Sequence, residues 1–92
     1  MRVIEKKMLN AIDQGKDFKL HNTQVTITFN KAHVFLHDNH IASVVDGKTI
    51  VNLDTLRAYP TPTTKSRLRA LGVDVYTKNF VTYMNGEAIW LI

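Results

Sequence analysis

The feature that most constrains the fold of this chain is the alternation of apolar residues with threonine in Val25-Thr26-Ile27-Thr28-Phe29. An apolar residue at every second position is typical of a β-strand that is buried on one face. Three turn-forming dipeptides follow it, at Asn30-Lys31, Asp38-Asn39 and Asp46-Gly47, with short apolar runs between them. Each is a plausible two-residue hairpin turn. The sequence therefore predicts an antiparallel four-stranded meander.

Two-residue turns at these dipeptides would also fix which side chains share a face of the sheet. They pair Phe29 with Ala32, Leu36 with Ile41, and His37 with His40. The predicted core face is apolar and consists of Val25, Ile27, Phe29, Val34, Leu36, Ile41, Val45 and Ile50. The predicted second face is mixed and consists of Thr26, Thr28, His33, Phe35, His37, His40, Val44 and Thr49. This second face is too apolar for an ordinary solvent-exposed surface, so it is either covered by the C-terminal strands or used in binding.

The segment before the meander has the pattern of an amphipathic helix. Ile4, Met8, Ala11 and Ile12 recur at helical spacing, and Gly15 is placed to end the segment. This helix, over residues 2–14, is expected to pack on the core face of the sheet.

After the meander, Pro60 and Pro62 exclude a continued sheet ladder. Thr61 or Thr63 can cap a short helix that runs through Leu71 and is followed by Gly72. The inward-facing residues of this helix are predicted to be Thr64, Leu68 and Leu71.

The remaining residues, 73–92, are predicted to form a C-terminal β-hairpin or three-stranded extension. Asn85-Gly86 is the strongest turn dipeptide in the chain, and Trp90 is expected to anchor this second sheet. The predicted fold class is α+β, with the N-terminal helix packed on the meander, then the short helix and the C-terminal strands.

The size and composition limit what such a fold can do. The chain has 92 residues, 45% of them hydrophobic, and no cysteine, which predicts a single domain over residues 1–92 without disulfides. No apolar run approaches the length of a membrane span, and the N-terminus lacks the pattern of a signal peptide. We therefore expect a cytoplasmic protein without membrane contact.

Catalytic and metal-binding patterns are weak. Ser43 and Ser66 have no companion motif of base and orienting group, and the glycines form no phosphate loop, so we expect no enzyme activity and no cofactor. His37 and His40 would face each other across a turn, but His33 would lie about 13 Å along the strand from His37. No metal site is therefore predicted.

Two groups of residues are predicted to form binding surfaces. The first is a basic cluster around the second helix and the following hairpin, which fits the net charge of +4 and could contact phosphates: Arg57, Lys65, Arg67, Arg69 and Lys78. Its ordinary role would be a solvated helix face. The second is the strand face with His33, Phe35, His37 and His40, whose aromatic and imidazole rings could stack on bases or centre a protein interface.

The opening helix, the segment from Thr63 to Gly72 and the closing Tyr83-Met84-Asn85-Gly86 resemble small accessory proteins encoded by short-tailed lytic bacteriophages. The resemblance implies a non-catalytic factor that binds and inhibits a host protein complex, in host takeover or in countering a host defence. The alternative is a small basic nucleic-acid-binding regulator that uses the second helix and the following hairpin. An unpaired edge strand would also allow a homodimer.

Overall fold

The computed structural model describes residues 1–91, except for the side chains of Trp90 and Leu91. The predicted anchoring role of Trp90 therefore falls on a side chain outside the described part. The α+β class is confirmed: helices and two antiparallel sheets share the chain. In chain order the elements are α1 (Val3–Gln14), β1 (Phe18–Leu20), β2 (Thr23–Thr28), β3 (Lys31–Leu36), β4 (Asn39–Val45), β5 (Lys48–Val51), α2 (Leu53–Ala58), α3 (Pro62–Ala70), β6 (Val75–Lys78), β7 (Val81–Met84) and β8 (Glu87–Leu91).

Helix α1 forms as its periodicity predicts. Met8 and Ala11 are buried on the side that faces the sheet. The helix ends at Gly15, which has a left-handed backbone (φ 65°) and donates its N–H to the carbonyls of Ala11 and Ile12. Glycine reaches this conformation without the steric cost that a Cβ atom would add.

The first sheet has five strands in the order β1-β2-β3-β4-β5, one more than predicted, because β1 pairs with β2. The turn at Asp46-Gly47 lies where the sequence places it, but the two preceding turns lie one residue earlier, at Phe29-Asn30 and His37-Asp38. The predicted place of Phe29 in the core is therefore wrong. Phe29 occupies a turn position at φ 55° and its side chain is 96% exposed.

A β-bulge in β4 then exchanges the two faces of the sheet. Phe35 pairs with His40 and Val34 pairs with Ala42, so Ile41 has no register partner. An extra residue in one strand reverses the alternation beyond it. Val44 consequently packs against the core, whereas Ile50 is 59% exposed, which is the reverse of the predicted assignment. Val45 and Thr49 exchange faces for the same reason.

Two capped helices connect the sheets. Asn52 caps α2, a helix that the sequence analysis does not predict, by accepting a hydrogen bond from the N–H of Thr55. Thr61 caps α3 in the same way through the N–H of Thr64, as predicted. The chain then forms the second sheet, in the order β6-β7-β8, which matches the three-stranded alternative.

The three helices and both sheets contribute to one core. Met8, Leu56 and Leu68, one from each helix, form a single buried cluster with Val34 of the first sheet and Val75 of the second. The helices and the second sheet therefore meet the first sheet on the same face. Within residues 1–91, no helix is long and apolar enough to cross a membrane.

Candidate functional site

The face of the first sheet opposite the core is the first candidate site, and we call it the outer face. Its members follow from the observed register: Gln24, Thr26, Thr28, Lys31, His33, Phe35, His40, Ser43, Val45, Lys48 and Ile50. The C-terminal segment joins the core on the other side, through Val73 just before β6 and Val75 in β6. In the described part of the chain, the predicted strand face is therefore not a second core beneath the C-terminal strands.

A hydrogen-bonded cluster lies at the centre of the outer face. The Ser43 hydroxyl lies 2.8 Å from His33 Nδ1 and 2.8 Å from His40 Nε2. The Asn52 side-chain amide donates to His40 Nδ1 at 3.1 Å. The Phe35 ring packs on the His40 ring with the centroids 5.5 Å apart, so aromatic packing and hydrogen bonds hold the same imidazole. We call these five residues the imidazole cluster.

The partners in the imidazole cluster fix the direction of each hydrogen bond. An amide nitrogen can only donate, so His40 Nδ1 must be the unprotonated acceptor and Nε2 must carry the proton. Nε2 then donates to the Ser43 oxygen, and the Ser43 hydroxyl donates to His33 Nδ1. His33 is left with a protonated Nε2 that the cluster does not use, which is a hydrogen-bond donor available to a ligand.

The environment also favours the neutral form of His40. Burial lowers its pKa, and repulsion from His33 when that ring is charged lowers it further, while a backbone hydrogen bond at Ala42 opposes the shift. The net pKa of His40 lies below its ordinary value. His40 is therefore neutral near pH 7, as the hydrogen-bond directions require.

The structure separates His37 from this cluster. His37 lies in the turn between β3 and β4 at φ 50°, exposed, and it does not face His40 across the sheet as predicted. The cause is the one-residue shift of that turn, which places His37 in the turn and His40 opposite Phe35. Within the described residues, no three His, Asp or Glu side chains come together as a set of metal ligands.

The predicted basic cluster is also divided, because Arg67 points into the protein. Its side chain is 3% exposed and donates from Nη1 to Glu5 Oε2 at 2.8 Å. Arg67 also donates from Nε to the Thr23 hydroxyl at 3.0 Å, and Ser66 donates to the same Glu5 oxygen at 2.6 Å. These contacts join α1, α3 and β2, so the Arg67 guanidinium serves the fold and is not presented to a ligand.

The charge state of Glu5 fits this pairing. Burial alone raises the pKa of its carboxyl group, but hydrogen bonds from Ser66, from Arg67 and from the Arg2 backbone, together with the Arg67 charge, outweigh burial. The pKa of Glu5 is therefore lowered, and the ionised carboxylate pairs with the guanidinium.

Two members of the basic cluster remain together. Lys65 and Arg69, one helical turn apart on α3, line an open cleft against β6, as their spacing predicts. The Lys65 ammonium donates to the Thr77 hydroxyl, and Arg69 donates from Nη1 to the Val75 carbonyl at 2.9 Å. Arg57 and Lys78 are exposed, and neither lines this cleft.

Sequence reasoning missed several of the residues that shape these sites. Ser43 and Asn52 join the two histidines only because β4 carries a bulge and α2 begins beside it. Asn52 gave a usable signal, since asparagine before a Leu-Asp pair is a common helix N-cap. Ser43 gave none, because a serine within a strand is ordinary.

The fold and these surfaces define a small α+β domain with an open sheet face and a cationic cleft. The sequence profile of the Kyanoviridae Gp96 protein family matches residues 1–91. The chain therefore belongs to that family, and it is a bacteriophage protein. The match supports the expected phage origin without supporting short-tailed phages in particular. No curated protein and no solved structure matches the chain.

Proposed function

We propose that this chain is a non-catalytic phage accessory factor that binds a protein complex of the bacterial host and inhibits it. The observation that carries the proposal is the imidazole cluster on the outer face. Phe35 and His40 are already held in one arrangement by ring packing and hydrogen bonds. Side chains that are ordered before association lose less conformational entropy when a partner binds.

The chemistry of the outer face suits a protein partner. Phe35 and the exposed Ile50 supply apolar area, and the free Nε2–H of His33 supplies a directed hydrogen bond. Lys31 and Lys48 lie on the same face at the end near the Phe29-Asn30 turn. Apolar and aromatic residues at the centre of a surface with charged residues at its edge are the usual composition of a protein interface.

The test is an affinity pull-down of the tagged chain from lysate of the phage's bacterial host, with and without nuclease, followed by mass spectrometry. We expect one host complex to be retained after nuclease treatment and its activity to fall when the purified chain is added. Because apolar contacts dominate, its affinity should change little as salt is raised.

Matched variants locate the interface. Ile50→Asp places a charge on the outer face and should weaken binding by about tenfold or more. Val3→Asp makes a similar change at an exposed apolar residue of α1, 68% exposed, and should leave binding unchanged. Loss of the partner on nuclease treatment, or equal binding by wild type and Ile50→Asp, would contradict the proposal.

A further inference from the structure

The cleft between α3 and β6 has a composition that the proposed function does not use. It has a volume of about 590 Å³. Its two cations come from one face of α3, and the other lining residues come from the connection before α3, from the first residue of α3 and from β6. The lining residues are Pro60, Pro62, Lys65, Arg69, Tyr76 and Thr77.

Within the described residues, the two cations of the cleft have no negatively charged partner. The Lys65 side chain is 96% buried, since only 4% of the residue is exposed. Among residues 1–91, no carboxylate oxygen lies within 4.0 Å of the Lys65 ammonium or the Arg69 guanidinium. A buried ammonium that has only a hydroxyl partner is costly, because its charge has lost water without gaining a counter-ion. An anion in the cleft would remove that cost.

The lowered pKa of Lys65 and the hydrogen bonding of Arg69 also favour an anion in the cleft. Burial lowers the pKa of Lys65, and the positive charge of Arg69 lowers it further. The hydrogen bond to the Val75 carbonyl fixes the position of Arg69 and uses one guanidinium N–H. The other N–H groups do not take part in that bond and can donate to a ligand. Two cations on adjacent turns, one of them oriented, suit a phosphate group, which accepts several charge-assisted hydrogen bonds at once.

Apart from Thr77, the rest of the lining consists of the rings of one tyrosine and two prolines. Tyr76 stacks on Tyr83 with the ring centroids 5.2 Å apart and an angle of 8° between the planes, so its orientation is fixed. Tyr76 is 37% exposed, and two proline rings lie across the same cleft. A fixed aromatic ring beside cations is the arrangement that stacks a base while its phosphate is neutralised.

We infer that this cleft binds a nucleotide unit, with its phosphate held by Lys65 and Arg69 and its base packed against Tyr76 and the two prolines. The nucleotide can come from a free mononucleotide or from a single strand of nucleic acid. This site is separate from the outer face and does not depend on the function proposed for that face.

The test is calorimetric titration of the full chain with four probes: inorganic phosphate, adenosine, adenosine monophosphate and a ten-nucleotide single strand. We expect the monophosphate to bind more tightly than phosphate or adenosine alone. A strand that binds more tightly still, and weakens as salt rises, would identify single-stranded nucleic acid as the source. Equal affinity for the strand and the monophosphate would identify the free nucleotide.

Variants assign the contacts. Arg69→Gln and Lys65→Met should each weaken monophosphate binding by about tenfold or more, because each removes a charged hydrogen bond. Arg57→Gln removes an equal charge from an exposed residue outside the cleft and should leave affinity within about twofold. Tyr76→Leu should weaken monophosphate binding and leave phosphate binding unchanged, while Tyr59→Leu, at a tyrosine outside the cleft, should change neither.

Three outcomes would overturn the inference: no measurable binding of any probe, equal losses from Arg57→Gln and Arg69→Gln, or equal affinity for phosphate and the monophosphate. Amide NMR spectra of each variant separate loss of a contact from loss of the fold. Since Arg69 is exposed, its variant keeps the test decisive even if Lys65→Met does not fold.

Discussion

Replacing Arg67 by methionine should be among the most destabilising single substitutions in this chain, because it leaves the Glu5 carboxylate buried without its counter-charge. Both side chains are only 3% exposed, and Arg67 also holds the Thr23 hydroxyl. Removing one partner of a buried pair costs about 3–5 kcal/mol. A chain of this length has a total free energy of unfolding of about 5–14 kcal/mol, so the loss is a large share of it.

The cost can be measured by urea unfolding followed by far-UV circular dichroism. In thermal unfolding, each kcal/mol of lost stability lowers the melting temperature of a domain of this size by about 4–8 °C, so the melting temperature should fall by more than about 12 °C. Glu5→Gln should also destabilise, and the double variant should lose less than the sum of the two single losses. Arg57→Met, at an exposed arginine, is the control and should change stability by about 0.5 kcal/mol or less. A loss below about 1 kcal/mol for Arg67→Met in a folded chain would refute the reasoning.

Three further predictions concern the imidazole cluster and the turns. Because the pKa of His40 is lowered in the folded state, the His40 imidazole becomes protonated at a higher pH in the unfolded chain than in the folded chain. The stability that neutral His40 contributes should therefore be complete above about pH 6.5 and be lost below it. His40→Gln should reduce the fall of the urea unfolding midpoint below that pH, whereas His37→Gln, at an exposed imidazole, should not. The same pH dependence of the midpoint in both variants would contradict the role assigned to His40 in the imidazole cluster. Phe29→Asn should raise the free energy of unfolding by about 0.5 kcal/mol, since asparagine tolerates positive φ better than phenylalanine; a lower melting temperature would count against this. Thr61→Ala removes the cap of α3 and should cost about 1 kcal/mol in the same unfolding assay, whereas no loss would show that the cap bond is not formed in solution.

Much of the fold follows from local patterns. The period of α1, its end at Gly15, the cap at Thr61 and the turns at Asp46-Gly47 and Asn85-Gly86 all act over a few residues, so the sequence displays them directly. The turn at Phe29-Asn30 was misplaced because phenylalanine is a poor candidate for positive φ and a good one for a core. The one-residue error in the turn moved the pairing of β2 with β3 by two residues, since Ala32 lies opposite Ile27 and not opposite Phe29.

The candidate sites were less predictable, because they depend on contacts between distant residues. The turn at His37-Asp38 places His40 opposite Phe35, and the bulge at Ile41, which no sequence pattern indicates, then places Ser43 opposite His33. The burial of Arg67 depends on a glutamate 62 residues earlier in the chain. Helical spacing did correctly align Lys65 with Arg69, because that relation is local.

The order of the strands has a consequence for how the chain folds. Within each sheet, every β-strand pairs with the strands next to it in sequence, and each hairpin closes through a two-residue turn. Such short closures cost little chain entropy, so we expect the hairpins to form early. The contact between Glu5 and Arg67 spans most of the chain and is expected to form late. Interactions absent from the folding transition state mainly slow unfolding. The hairpins would therefore set how fast the native state appears, and the buried ion pair would set how long it lasts.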